Sequence, residues 1–130
     1  MLHPPSRVYY FPKFIVLFYL CAWWTMHAAT AQDRADDLSQ HVRSILSNRC
    51  FACHGPDEAK REGGFRLDKH SSMLAEADSG LHPVVPGDAQ HSELLRRIIS
   101  SDEDERMPPT DFGKPLSAAD VRVIEDWIAQ

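Results

Sequence analysis

Beyond residue 31 the chain has few aromatics and few cysteines. Of twelve aromatic residues only Phe51, Phe65, Phe112 and Trp127 lie there, and of three cysteines only Cys50 and Cys53. So few large apolar side chains leave a thin core, one that a buried cofactor would complete. A disulfide scaffold is excluded, because a bridge between Cys50 and Cys53 closes too short a loop to constrain much chain. The first 31 residues lack something else: they contain no Asp or Glu. Arg7 and Lys13 precede an apolar run from Phe14 to Trp24, and Ala29, Thr30 and Ala31 supply small residues before Gln32. That order reads as a secretory signal over residues 1–31, cut before Gln32. The run of 11 residues falls short of the roughly 20 that a membrane-spanning helix needs. The wider stretch from Phe14 to Ala31 covers 18 residues, so an uncleaved anchor is the alternative and the only route to a membrane.

Cys21 falls inside the segment to be removed, and the large Leu20 before it argues against a lipid-modified cysteine. What remains is residues 32–130, one small domain with a core at 38–129. It holds 12 Lys or Arg against 19 Asp or Glu, a formal charge of −7, which argues against nucleic acid as a partner.

Hydrophobic spacing in that domain is helical. Leu38, Val42, Ile45 and Leu46 share one helix face leading into Cys50, with Asp36 or Asp37 as a cap. From Gly55 to Pro86 the periodicity fades among Gly63, Gly64, Gly80 and Pro83, which predicts loop, with one short helical turn near 72–77. A helix is expected over 92–100 from Leu94, Leu95, Ile98 and Ile99. An acidic, proline-containing loop follows at 101–115. A last helix is capped by Ser117 and lined by Val121, Ile124 and Ile128, with Trp127 at its border. The reading is a small all-α domain whose N- and C-terminal helices are free to pack together beside a loop-rich middle.

Cys50-Phe51-Ala52-Cys53-His54 matches the C-x-x-C-H pattern of covalent haem attachment. Two thiols three positions apart can each add to one of the two vinyl groups on a porphyrin edge, and the adjacent imidazole is then aimed at the iron. Cys50 and Cys53 are therefore the expected attachment points of one haem c, and His54 its proximal ligand. Other readings compete. A zinc site would recruit His70, His82 or His91 as fourth ligand, but a second spaced ligand pair is missing. A redox dithiol normally opens a helix, whereas this motif follows one. The third competitor is a chance match.

On the other side of the iron, only Met73 and Met107 survive signal removal. Met107 is the expected distal ligand: it lies 53 residues after His54, far enough to reach the opposite face, and Pro108 and Pro109 stiffen the chain beyond it. A packed side chain is the alternative role for Met107, and His82 or His91 the alternative ligands. Arg66, Arg96, Arg97 and Arg106 are candidates for the haem carboxylates, against plain surface charges. The run Asp102-Glu103-Asp104-Glu105 either steers a basic redox partner or is a solvated loop.

From Ile45 to Ile128 the chain resembles the planctomycete-type cytochrome c domain, a relative of class I c-type cytochromes. The segments that carry the likeness are 45–57 around the attachment motif, Gly63-Gly64-Phe65-Arg66-Leu67-Asp68, and Val85-Pro86-Gly87-Asp88 with Ser92, Leu94, Arg97 and Ile98. Met107-Pro108-Pro109, Pro115-Leu116-Ser117 and 124–128 complete them. Phe65 departs from the usual aliphatic residue and should still pack. The resemblance implies a class I fold, haem on Cys50 and Cys53, His54 and Met107 as axial ligands, and an extracytoplasmic, periplasmic location. The leading hypothesis is a single-haem electron carrier serving redox partner proteins rather than an enzyme, since a firmly bound Met107 would close the distal site. A haem enzyme or ligand sensor of peroxidase-like kind is the second hypothesis, and a zinc-stabilised interaction domain the third. Similar modules often stand at the front of longer proteins, so a truncated product is a further expectation for a chain that stops at Gln130 without a terminating glycine.

Overall fold

A computed structural model describes residues 32–130; the expected signal segment, residues 1–31, lies outside the described residues. The chain divides into the units Met1–Ala35 and Asp36–Gln130, and of the first only residues 32–35 are described. The described residues form helices, turns and loops with no strand among them, in line with the all-α expectation.

Helix α1 covers residues 32–49. Its apolar stripe is the expected one: Val42, Ile45 and Leu46 are buried and Leu38 packs against them. The expected cap is corrected, because Asp36 and Asp37 lie inside the helix and face solvent. Nothing in Gln32-Asp33-Arg34-Ala35 interrupts a helix, so it is under way before either aspartate is reached. Its last turn passes through Cys50, whose N–H donates to the Leu46 carbonyl at 2.8 Å. The single turn α2, Phe51–His54, then carries the attachment motif.

The middle is loop with two short turns, a 3₁₀ segment at Glu58–Lys60 and helix α3 at His70–Met73. The helical turn expected at 72–77 thus lies earlier. Burial of Met73 anchors α3, and just beyond its end the Leu74 carbonyl accepts from His82 Nδ1 at 2.8 Å. Helix α4, Glu93–Ile98, buries Leu94, Leu95 and Ile98 and stops short of the exposed Ile99.

Ser92, just before α4, is a buried polar residue, 1 % exposed. Its Oγ accepts from the Val85 N–H at 2.9 Å and lies 2.9 Å from the Asp88 carbonyl, to which it donates. These bonds clamp the Val85-Pro86-Gly87-Asp88 turn against the start of α4. Ser92→Ala leaves the Val85 N–H without this acceptor and should cost about 1–3 kcal/mol, read as a lower urea midpoint at unchanged slope.

Helix α5, Ala118–Ala129, starts as expected, with Ser117 Oγ accepting from the Asp120 N–H at 3.1 Å. Ile124 and Ile128 are buried, at 0 % and 2 % exposure, and α5 packs on α4. Val42 and Leu46 of α1 and Trp127 of α5 line one groove, so both helices flank it. Ile124→Ala opens a cavity at the centre of this core and should lower stability by about 2–5 kcal/mol, measurable by the same denaturation experiment.

Candidate functional site

The sequence between Cys50 and Leu67 folds back on His54. Cys53 and His54 are held by the turn of α2, in which the His54 N–H donates to the Cys50 carbonyl at 2.8 Å. Two backbone bonds return the chain: the Glu62 N–H donates to the Cys53 carbonyl at 2.9 Å, and the Leu67 N–H to the His54 carbonyl at 2.8 Å. Gly63 and Gly64 make the reversal, both at positive φ, 68° and 71°, where glycine alone has no Cβ penalty. At Gly64 a Cβ would also collide with the Asp78 carboxylate.

This return fixes the imidazole in two ways. His54 Nδ1 lies 3.1 Å from the Glu62 carbonyl oxygen. A carbonyl only accepts, so Nδ1 carries the proton, and in neutral imidazole Nε2 then carries the lone pair. The Phe65 ring stacks on the imidazole, with centroids 4.4 Å apart and planes 17° from parallel. Burial lowers the His54 pKa, opposed by the hydrogen bond to Glu62, and favours the neutral form that can donate its lone pair. Glu62 as acceptor and Phe65 as stacking partner are additions to the expected site residues. The glycine pair was the signal for a tight return, but a main-chain acceptor leaves no mark on residue type.

Two clefts meet at this histidine, and Cys50, His54, Glu62 and Met107 stand in the walls of both. The first is mainly apolar, with about 810 Å³ of empty space partly open to solvent, and is also lined by Phe65, Leu67, Leu94, Arg97 and Ile98. The second adds Cys53, Pro108, Pro109 and the exposed Phe112. All four residues singled out from the sequence, Cys50, Cys53, His54 and Met107, therefore line this second cleft together. Met107 is held by its N–H, which donates to the Arg97 carbonyl at 3.1 Å. The Met107–Pro108 bond is cis.

The other candidates are placed elsewhere. Met73 is buried in the core and lines neither cleft. His70, His82 and His91 are exposed and also stand outside both. Among the described residues no group of three or more His, Cys, Asp or Glu is arranged to hold a metal ion. Of the arginines, Arg66 forms a bidentate pair with Asp68, at 2.9 and 2.6 Å. Arg96 is exposed and bridges Glu93 and Glu105. Arg106 reaches Glu103 at 3.5 Å, and its buried Nε has no acceptor among the described residues. Arg97 alone of the four lines a cleft.

The thiols are free rather than bridged. Burial pushes the Cys50 pKa up to about 11, with Arg49 opposing it. A thiol-exchange catalyst needs the opposite, a depressed pKa that exposes thiolate. What the site offers is two free thiols, an imidazole with an oriented lone pair, a thioether and apolar walls. That set fits a flat apolar group with reactive edge carbons and a central metal.

The family model described as Planctomycete cytochrome C matches residues 50–111, from the first cysteine of the motif to just past Met107. No curated protein and no solved structure matches the chain. No helix among the described residues is long and apolar enough to cross a membrane.

Proposed function

Residues 50–111 are a planctomycete cytochrome C domain, and from that premise we propose that the chain is an exported, single-haem electron carrier with a class I arrangement of its helices. Domains of this kind generally carry covalent haem, move electrons and work outside the cytoplasm. The observation that supports the reading most is the cleft shared by Cys50, Cys53, His54 and Met107. In this reading Cys50 and Cys53 would hold the haem through thioethers, and His54 and Met107 would supply ligands to its iron.

The haem supplies an iron that alternates between Fe(II) and Fe(III), one electron at a time. The protein's share is binding, orientation and exclusion of water. The Glu62 carbonyl fixes the His54 tautomer and ring plane, as second-shell acceptors do for metal-bound histidines. Phe65, Leu67, Leu94 and Ile98 would present apolar surface to the porphyrin, and apolar walls favour the less charged ferrous state. A methionine opposite histidine acts in the same direction and raises the reduction potential. Redox partner proteins would deliver and remove the electron.

The test is expression with a c-type maturation system, followed by haem staining after denaturation, metal analysis and visible spectra of both redox states. One covalent haem per chain with a reversible ferrous–ferric couple is expected. Protein that binds zinc and no haem would overturn the reading.

A further inference from the structure

We propose that the Arg97 guanidinium receives a carboxylate of the haem and thereby ties that group to the loop carrying Met107. This rests on the haem reading above. A haem brings two carboxylates, and one that enters a largely apolar cleft needs a charge-assisted donor. The ionic side chains in the wall of the first cleft are Glu62, Glu93 and Arg97, so the arginine is the one cation there.

Arg97 is already oriented for this. Its Nε donates to Glu93 Oε1 at 2.7 Å and its Nη1 to the Glu105 carbonyl at 3.3 Å, while no hydrogen bond joins its Nη2 to a described residue. Glu93 does not consume the charge of Arg97, because it is shared with Arg96, which bonds both of its oxygens at 2.7 Å. The side chain is part-buried and stands in the cleft wall. A planar guanidinium held on one edge can still present another edge to a carboxylate.

The same residue holds the Met107 loop at two points. Its backbone carbonyl accepts the Met107 N–H at 3.1 Å, and its guanidinium holds the Glu105 carbonyl two residues earlier. A carboxylate on Arg97 would therefore fix this side chain and, with it, the segment from Glu105 to Met107. Arg97 is in this sense a positioning residue.

The test compares Arg97→Leu, Arg97→Lys, Arg96→Leu and Arg106→Leu in the matured protein. The readouts are covalent haem content, the reduction potential and the carboxylate bending band in the resonance Raman spectrum. Arg96 shares Glu93 and Glu105 with Arg97 but lies outside the cleft, so it controls for disruption of the ion-pair network. Arg97→Leu should shift the band and lower the potential, because an uncompensated carboxylate stabilises ferric iron. Arg97→Lys keeps the charge but loses the fork, so the band should shift while the potential stays nearer that of the unmodified protein; this variant decides the matter if Arg97→Leu does not fold. Arg96→Leu should change neither. An unshifted band in both Arg97 variants, or a shift in Arg106→Leu instead, overturns the assignment while equal haem content leaves the haem reading standing. Absence of covalent haem in the unmodified protein overturns both.

Discussion

A Cys50→Ser/Cys53→Ser double variant, matured in the presence of haem, should release all of its haem on denaturation. Each thioether forms when a cysteine Sγ adds to one carbon of a vinyl group and the thiol hydrogen goes to the other. Serine oxygen does not make that addition under the same conditions. His54 and the apolar walls remain, so the folded double variant can still hold haem without a covalent bond; the loss is of attachment. Haem staining of a denaturing gel reads it directly, with full signal in the unmodified protein and none in the double variant. Each single serine variant should keep its stain and show a red-shifted α band, because one vinyl group stays conjugated. A double variant that still stains would place the attachment elsewhere. Both thiols are free rather than bridged, which is what this addition requires.

Met107→Ala is the second large effect. It should abolish the near-infrared charge-transfer absorption of methionine-bound ferric iron, lower the reduction potential and open the ferrous iron to carbon monoxide. Met73→Ala is the control, because Met73 is buried in the core and absent from both clefts. It should keep the absorption while lowering stability by about 2–5 kcal/mol. Retention of the band in Met107→Ala with its loss in Met73→Ala would reverse the two roles. Rapid carbon monoxide binding by the unmodified ferrous protein would favour the ligand-binding or peroxidase-like alternative, since it requires a displaceable distal group.

Much of the site was legible because its chemistry sits in rare residues at fixed spacing. Cys50, Cys53 and His54 fall within five residues at the start and along one turn, and with the first 31 residues set aside only Met73 and Met107 offered a thioether. Sequence alone could rank those two by chain length and neighbouring prolines; the structure separates them by burial. The helices were legible where one apolar face dominates, as for Val42, Ile45 and Leu46 in α1 or Ile124 and Ile128 in α5. Their ends were less so. Asp36 and Asp37 can cap a helix or sit exposed within one, and only the preceding residues decide. The bond from His82 Nδ1 to the Leu74 carbonyl, just beyond α3, joins loop residues eight apart and no periodicity encodes it. Selection of Arg97 among four arginines needed the cleft wall, which brings it together with Cys50, His54 and Phe65 from far along the chain, since all four have acidic neighbours in sequence.

The bond from His54 Nδ1 to the Glu62 carbonyl has a consequence for how this chain tolerates change. Its acceptor is main chain, so substitution at position 62 leaves it in place, and an exposed residue there is free to drift. The constraint moves instead to the glycines that shape the path. A side chain at Gly64 would displace the Asp78 carboxylate and, more costly, would have to hold φ at 71°, which strains the turn beside the histidine. Among descendants of this sequence, position 62 can change its side chain and still keep this acceptor for His54. Loss of Gly64 should disturb the setting of His54 without replacing any candidate ligand.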